Sequence, residues 1–472
     1  MDDLSIHYNS SNQPRAHKIL QNTLSSIFLW LSKHGFRISP SKSTFTIFEK
    51  RKTKTPFPPL LLNNTSIPRS DTVKVLGLRF HTRHSWIPHI KDIKAKCLRS
   101  INVLKYLAHP TTGCNRKVLL TLYNSLIRSI LDYGAPIYGL APPTQLSLLE
   151  PIQNAAILIC VGAFRTSPGM SLCADAGVPP LHYRRLALTA SLLTAILQLP
   201  NTLIHHLLFN KPGSRTTYCR AYTHLRAYLN QSLDSNFRFH CVSPIYPSPP
   251  PWIMSPPEVI LKLNQFPKNK TPSAVYRSHY SDILNTFPNA TICYTDGSKT
   301  DKRVGFAYTI GEKTIARRHR NAASILTAEL QAIFQCLVDI ASNPPPHSNF
   351  ILIISDSLSS LTAMLNIYSD NPLINRIHTL LFALKTFPQQ IKFIWVPGHK
   401  GIPGNEKVDS AAKAATSLPH VSLRILPSKT DLTLFIRHQI KIHWHTFWKN
   451  QIHSNKLALI KPVPTPIIQP KI

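Results

Sequence analysis

Hydrophobic and polar positions alternate most regularly between residues 292 and 415. Short apolar or alternating runs predict five strands, and apolar residues at a 3.6-residue period predict four helices. The strands are predicted at 292–295, 304–310, 313–320, 350–354 and 391–396, and the helices at 326–340, 357–366, 373–385 and 405–415. This order of elements predicts an α/β fold, in which helices cover a five-stranded mixed sheet.

The upstream half has weaker periodicity. Apolar spacing predicts a helix over 20–35, and alternation predicts strands at 44–48 and 73–80. Residues 89–200 are predicted to be mainly helical, because two stripes there have the spacing of a helical core. The stripes are Ile93-Cys97-Ile101-Leu104 and the segment 119–131.

Prolines separate these two patterns. Nine of them lie between Pro244 and Pro272, three in succession at 249–251. Because proline fixes φ and lacks a backbone donor, we expect residues 219–290 to be a linker, with a new domain beginning near Thr291. The basic, proline-bearing segment 50–59 is expected to be a loop.

Charge is distributed unevenly along the 472 residues. The formal net charge is +33, but residues 291–416 contain 13 basic and 9 acidic residues and contribute only +4. The remaining +29 lies in the flanks. Such an excess indicates a polyanionic partner, nucleic acid foremost, although a generally basic protein without such a partner has the same composition.

Four acids lie in four separate segments of the nearly neutral region. Asp296 and Asp356 follow predicted strands, and Glu329 is on the same helix face as Ala332 and Ile333. Asp409 lies in the last helix and opens a run of small residues, Ser410-Ala411-Ala412, which would let that helix approach closely. Clustered carboxylates repel unless cations neutralise them, so this set predicts a metal site. Oxygen ligands without His or Cys favour Mg²⁺ or Mn²⁺ over zinc. Two such ions about 4 Å apart activate water and stabilise a leaving oxygen. Any single acid of the set could instead be a cap or turn residue.

His399 lies in the glycine-rich segment 396–401 beside the proposed site. An imidazole there would transfer a proton or assist product release, and the alternative is a loop histidine that contacts phosphate or solvent. The eight cysteines are scattered, which argues against a zinc cluster and favours an intracellular location, nucleus or cytoplasm. We expect no signal peptide, since the sequence begins Met-Asp-Asp-Leu, and no membrane span, since no apolar run approaches ~18 residues.

The acidic segments, in their order, resemble the type 1 ribonuclease H family. The matching motifs are Tyr294-Thr295-Asp296-Gly297-Ser298, Thr327-Ala328-Glu329-Leu330, Ile354-Ser355-Asp356-Ser357, Val396-Pro397-Gly398-His399-Lys400-Gly401 and Gly404-Asn405-Glu406-Lys407-Val408-Asp409. The resemblance implies a ribonuclease H-like fold, cleavage of the RNA strand of RNA–DNA hybrids, and two Mg²⁺ ions. It also implies that Asp296, Glu329, Asp356 and Asp409 bind the metal and that His399 is the mobile-loop histidine.

Two positions depart from that family's pattern. Many members have asparagines before the helix glutamate that touch the hybrid's minor groove, whereas this chain has Ser324-Ile325-Leu326. The segment between the fourth and fifth strands also lacks a basic substrate handle. Hybrid affinity is therefore expected to depend on the basic flanks.

The rest of the chain resembles the reverse transcriptase polyproteins of jockey-like non-LTR retrotransposons. The resemblance lies in Met1-Asp2-Asp3-Leu4, 34–43, 75–78 with 86–90, 131–139, 162–168, and the tail residues Trp444, Trp448, Leu457 and Lys461-Pro462. It implies a palm remnant over 1–88, a helical thumb-like region over 89–218, the linker, a ribonuclease H domain over 291–417 and a basic tail over 418–472. The palm's earlier aspartate has no counterpart, so we expect a 5′-truncated copy without polymerase activity. The alternative to a ribonuclease is a catalytically silent, nucleic-acid-binding remnant.

Three aromatic residues of the tail, Trp444, Phe447 and Trp448, lie near Lys441 and Lys449. They offer stacking faces for bases. The alternative is an amphipathic helix whose aromatics pack on the thumb-like region.

Overall fold

The computed structural model describes residues 4–49, 57–109, 111–199, 201–206, 208, 249–300, 303–346, 348–421 and 426–464. They divide into two compact units, one of Met1–Leu188 with Trp444–Ile472 and the other of Thr189–His443. The paired aspartates Asp2 and Asp3, most of the expected loop at 50–59 and the first half of the expected linker lie outside the described residues.

Helices dominate the first unit, as the apolar spacing predicts. They are α1 (Gln13–Lys33), α2 (Ile87–Leu107), α3 (Arg116–Leu122), α4 (Ser129–Asp132), α5 (Ala135–Tyr138), α6 (Pro143–Leu146), α7 (Glu150–Val161), α8 (Gly169–Ala176) and α9 (Leu181–Leu197), the last extending into the second unit. A π-helical segment, Tyr123–Arg128, joins α3 to α4. The predicted stripe of α2 is buried, and it packs against Tyr123, Ile127 and Leu131 of the second stripe. The helical prediction for 89–200 is therefore confirmed.

Two strand predictions in this unit are wrong. Residues 73–80 form a hairpin of β3 (Thr72–Val75) and β4 (Leu78–His81) rather than one strand. Leu76 and Gly77 both have positive φ, as a type I′ hairpin turn requires, and apolar alternation across them hides the reversal. Segment 44–48 forms only an isolated bridge, from Phe45 to Arg69. A second hairpin, β1 (Leu61–Leu62) and β2 (Thr65–Ser66), has no sequence pattern long enough to predict it.

A mixed sheet forms the centre of the second unit. Its strands are β5 (Val259–Ile260), β6 (Ala290–Lys299), β7 (Val304–Ile310), β8 (Lys313–His319), β9 (Phe350–Ser355) and β10 (Gln390–Trp395), in the spatial order β5-β10-β9-β6-β7-β8. β7 is antiparallel to β6 and β8, and the other pairs are parallel. The five predicted strands and the α/β class are confirmed, and β5 is an additional sixth strand.

Residues 249–290, expected to be linker, contain two elements of this unit. β5 pairs in parallel with β10, with Val259 opposite Phe393, and a helix covers Ser273–Asn285. A two-residue strand after Pro256-Pro257 has no periodicity to detect, and a sheet edge tolerates neighbouring prolines. The helix could have been detected, since Tyr276, Tyr280 and Ile283 are buried at helical spacing.

Helices cover both faces of the sheet. Continuing the numbering, the helices of the second unit are α10 (Leu203–His205), α11 (Ser273–Asn285), α12 (Ile325–Ser342), α13 (Leu358–Met364), α14 (Pro372–Leu384), α15 (Pro403–Ala415) and α16 (Lys429–Lys449), which extends into the first unit, where α17 (Lys456–Ile460) follows. Ala307 of β7 packs on Val408 and Ala412 of α15, whereas its neighbours Phe306 and Tyr308 belong to the core beneath α12. Because successive strand residues point to opposite faces, α12 and α15 lie on opposite sides.

Among the described residues, two helical stretches, Pro143–Val161 and Ile325–Ser342, have the length and mean hydropathy of a membrane span. Both contribute to a core, since Ile152 and Ile157 belong to the helical core of the first unit and Ile333 and Leu337 to the sheet core of the second. Core helices have the same composition as membrane spans, so composition alone does not distinguish the two.

Candidate metal centre

Two aspartates lie side by side on neighbouring parallel strands. Asp296 lies within β6, and Asp356 directly follows β9. The register places Thr295 opposite Ser355, so the next residue on each strand is an acid. β6 continues beyond Asp296, which pairs with Ala307 of β7, so this acid is not at a strand end as expected. The adjacency that the parallel pairing predicts is present.

The third acid comes from helix α12. Glu329 is buried on the face that also carries Ala332 and Ile333, as the helical period predicts. The helix approaches β6 at Gly297, where a Cβ atom would lie 2.6 Å from the backbone nitrogen of Glu329. Only glycine therefore lets the strand and the glutamate come this close.

The carboxylates of Asp296, Glu329 and Asp356 form one group, in which an oxygen atom of each lies within 4.8 Å of the others. Burial, followed by the charges of Asp356 and Asp409, raises the pKa of Asp296 to about 7. Burial and then the charges of Asp296 and Asp356 hold the pKa of Glu329 well above its usual range. Proximity and desolvation thus oppose the charged state that Asp296 and Glu329 would have in water.

Within the described residues, Oε2 of Glu329 is buried without a hydrogen-bond partner. A buried acceptor is usually satisfied, and one left unpaired costs about 1–3 kcal/mol. A cation bound among the three carboxylates would satisfy it and neutralise the mutual repulsion. The all-oxygen donor set suits a hard divalent ion, so the residues fit the metal that the sequence predicts.

Asp409 has a different environment from the other three acids. Its carboxylate accepts a hydrogen bond from Lys413 at 2.6 Å, and it is not a member of the three-carboxylate group. Its charge nevertheless raises the pKa values of Asp296 and Glu329, so it lies within electrostatic range of them. The hydrogen bond to Asp409 raises the pKa of Lys413 in turn. The structure therefore brings three of the predicted ligands together and pairs the fourth with a lysine.

His399 lies next to Asp409, with 3.8 Å between Nδ1 and the nearer carboxylate oxygen. Its side chain is 70% exposed. Its backbone is in the left-handed region, as is that of Gly401, so the loop turns sharply there. The imidazole lies at the solvent side of the acidic group rather than inside it.

Several residues around the group had no predicted role. Asn405, buried at the start of α15, donates from Nδ2 to Asp356 at 3.3 Å. Gly398 leaves room for that same carboxylate, because a Cβ atom there would lie 2.5 Å from its Oδ2. Lys400 donates to the carbonyl oxygen of Thr271, before α11. Asn405 and Gly398 belong to the motifs quoted above, but only their contacts reveal what they do.

The tail aromatics are mostly buried. Trp448 is fully buried, packs against Ala174 and Ala458 and donates its indole N–H to the carbonyl oxygen of Lys461. Trp444 is also buried, whereas Phe447 is 40% exposed. The stacking prediction is therefore wrong for the two tryptophans. Packing on the helical region is confirmed for Trp448, since Ala174 belongs to α8.

Residues 288–417 match the RNase H family. The chain is similar to a probable RNA-directed DNA polymerase from transposon BS of Drosophila melanogaster (22% identity over 156 residues, 33% of this chain and 17% of that protein). It is also similar to the RNA-directed DNA polymerase from mobile element jockey of the same species (23% over 162 residues, 34% and 18%). A further relative is the Pol polyprotein of caprine arthritis encephalitis virus (30% over 140 residues, 28% and 12%).

A mixed sheet with a buried acidic group, within residues that match the family, defines this part of the chain as an RNase H domain. The chain that contains it is similar to jockey-like RNA-directed DNA polymerases of mobile elements. The matched segments span less than a fifth of the length of each relative named above.

Proposed function

We propose that this protein hydrolyses the RNA strand of RNA–DNA hybrids as a type 1 ribonuclease H, using two Mg²⁺ ions or, in their place, Mn²⁺. The observation that carries the proposal is the convergence of Asp296, Glu329 and Asp356 within the segment that matches the RNase H family. Three carboxylates from a strand, a helix and a strand end, two of them buried, have few structural reasons to lie together.

In this proposal Asp296, Glu329, Asp356 and Asp409 bind the metal. The ions would supply an activated water and charge stabilisation for the leaving oxygen of the phosphodiester. Asn405 orients Asp356 through their hydrogen bond. Lys413 holds Asp409 at the edge of the group, and that carboxylate becomes available as a ligand when the lysine moves into solvent.

His399 is proposed to handle protons at the leaving group. Its imidazole is exposed and lies 3.8 Å from the carboxylate of Asp409. Proton transfer by a positioned side chain contributes roughly 10²–10⁴-fold to rate.

Substrate affinity is proposed to come mainly from charge outside the RNase H domain. The flanks hold +29 of the +33, and phosphate neutralisation by lysine and arginine makes binding fall steeply with salt. Preference for a hybrid would arise at the site itself, because it must accept a ribose 2′-hydroxyl on one strand and a deoxyribose backbone on the other.

Cleavage of three labelled duplexes by the full chain tests the proposal. In Mg²⁺ we expect the RNA strand of a hybrid to be cut, and double-stranded RNA and DNA to be spared. The variant Asp356→Asn should be inactive, whereas Asp370→Asn, which changes an exposed acid of the same domain, should be as active as the wild type.

Two outcomes would contradict it. Equal cutting of all three duplexes would end the ribonuclease H assignment. Binding of hybrid without cleavage in either Mg²⁺ or Mn²⁺ would favour the alternative function, a catalytically silent nucleic-acid-binding remnant.

A further inference from the structure

The segment after the RNase H match contains a single buried acid. Residues 418–472 include eight lysines and arginines and one acidic residue, Asp431. Its side chain is only 1% exposed. Burial of a carboxylate is costly unless hydrogen bonds compensate, so its partners indicate what it does.

Asp431 lies in the first turn of α16, where its backbone N–H donates to Oγ of Ser428. Its side chain reaches the start of another helix, α12. Oδ1 accepts from the backbone N–H of Ser324 at 3.0 Å, and Oδ2 accepts from the hydroxyl of Thr327 at 2.7 Å. The carboxylate therefore lies at the N-termini of two helices, where unpaired N–H groups and the helix dipole favour negative charge.

Ser324 is the N-cap of α12, and its Oγ accepts from the backbone N–H of Thr327. Asp431 holds both of these residues from outside the helix. Together the side chains of Ser324 and Asp431 fix the backbone of the first turn of α12, which ends at Thr327, two residues before Glu329. The cap is thus shared between a residue inside the RNase H match and one beyond it.

The first turn of α12 has little freedom on its other side. A Cβ atom at Gly297 would already lie 2.6 Å from the nitrogen of Glu329, so the helix rests on the strand at that point. Arg318 holds the chain that leaves the domain, donating to the carbonyl oxygens of Leu418 and Pro419. Through Asp431, the segment that follows the RNase H match therefore contacts α12, the helix that carries Glu329.

We infer that Asp431 is a positioning residue for Glu329, and that the start of α16 is a functional part of the ribonuclease module beyond residue 417. This inference rests on the proposed function for the role of Glu329. Loss of Asp431 leaves the N–H of Ser324 and the hydroxyl of Thr327 without that acceptor, and the first turn of α12 loosens. Residues that orient metal ligands typically affect metal affinity or activity by about 10- to 100-fold.

Four variants of the full chain test it. Asp431→Ala removes both contacts, and Asp431→Asn restores them, since an amide oxygen accepts from Ser324 and the hydroxyl of Thr327 can accept from the amide. Leu432→Ala removes a fully buried neighbour on the same helix and controls for general loss of stability. Thr430→Ala, at an exposed neighbour, controls for the effect of alanine itself.

Below the melting temperature of every variant, Asp431→Ala should lower kcat by about 10- to 100-fold and raise the Mg²⁺ concentration for half-maximal rate. KM for hybrid should stay unchanged, Asp431→Asn should recover most of the rate, and Leu432→Ala should melt lower yet keep its kcat. Hydrogen exchange of the 324–330 amides should quicken in Asp431→Ala alone. That readout requires neither metal nor cleavage.

The outcomes separate this inference from the proposed function. A wild type that cleaves hybrid, beside an Asp431→Ala variant with unchanged kcat and unchanged exchange at 324–330, would overturn the role of Asp431 alone. An equal loss of kcat in Leu432→Ala would show that the effect of Asp431→Ala comes from a general loss of stability. An inactive wild type would overturn the proposed function, and faster exchange at 324–330 in Asp431→Ala would then support the anchoring contact without a catalytic role.

Discussion

Asp431 and Glu329 are both buried acids in the second unit, and they differ in what surrounds them. Both carboxylate oxygens of Asp431 accept hydrogen bonds at the N-termini of two helices. One oxygen of Glu329 has no partner among the described residues, and two more carboxylates lie against it. A buried acid with complete partners stabilises structure, whereas one that is deprived of partners and crowded by like charge is organised for a ligand.

The largest expected effect comes from removing a member of the crowded group. Asp296→Asn should lower the rate of hybrid cleavage by at least about 10³-fold, because metal ions stabilise the transition state by several kcal/mol and the variant loses a metal ligand. The measurement is single-turnover cleavage in saturating Mg²⁺. If the variant keeps more than a tenth of the wild-type rate, Asp296 does not take part in catalysis.

A smaller loss is expected from Gly297→Ala. The added methyl group must displace the backbone at Glu329, 2.6 Å away, and a shift of about 1 Å in a catalytic group costs on the order of 10²-fold in rate. The neighbouring substitution Ser298→Ala adds no atoms and is the control. Near-wild-type cleavage by Gly297→Ala would mean that the position of α12 tolerates movement, which would also weaken the role of Asp431.

Stability without metal should depend on pH in the direction set by Asp296. Its pKa is raised to about 7 in the folded protein, whereas it is near 4 in the unfolded chain. Below pH 4 the carboxyl group is protonated in both states and does not lower the free energy of unfolding, but between pH 4 and 7 it lowers that free energy increasingly. In EDTA we expect Asp296→Asn to be more stable than the wild type by roughly 4 kcal/mol at pH 8, and equally stable near pH 4. Thermal melts across this range measure the difference. A constant difference would exclude titration as its cause.

The smallest expected effect concerns the boundary of the domain. A fragment of residues 288–417 contains the acidic group but lacks β5, α11 and Asp431. We expect it to melt cooperatively but at a lower temperature than residues 249–443, by an amount equivalent to about 1–2 kcal/mol for the lost cap alone. Equal melting temperatures would show that the flanking elements add nothing to stability.

The sequence is sufficient to predict the site where its geometry follows from local periodicity. Asp296 and Asp356 are adjacent because their two parallel strands pair with Thr295 opposite Ser355, and Glu329 faces the sheet because the helical period places it there. The ion pair between Asp409 and Lys413 also has a signal, since the two residues are one helical turn apart.

Other features depend on contacts distant in sequence. Asp431 lies more than 100 positions from Ser324 and Thr327, and nothing in the pattern near it predicts that contact. β5 is two residues long and is defined only by its partner β10. The alternation of apolar residues continues through the turn at Leu76-Gly77, so the sequence pattern does not reveal the turn. Its positive φ values are visible only in the folded chain.

The edge pairing of β5 has a mechanical consequence. The chain enters the second unit's sheet through two residues, held by the bond from the N–H of Phe393 to the carbonyl oxygen of Glu258 and by the ion pair of Glu258 with Lys392. Tension applied to the chain upstream of residue 249 would act on the hydrogen bond from Lys385 to Ser255 and then on this short contact. β5 would detach from β10 at low force, while β9 and β6, two and three strands from that edge, keep their pairing and the acids stay in register. Loss of the edge strand would therefore leave the register of the two acid-bearing strands unchanged.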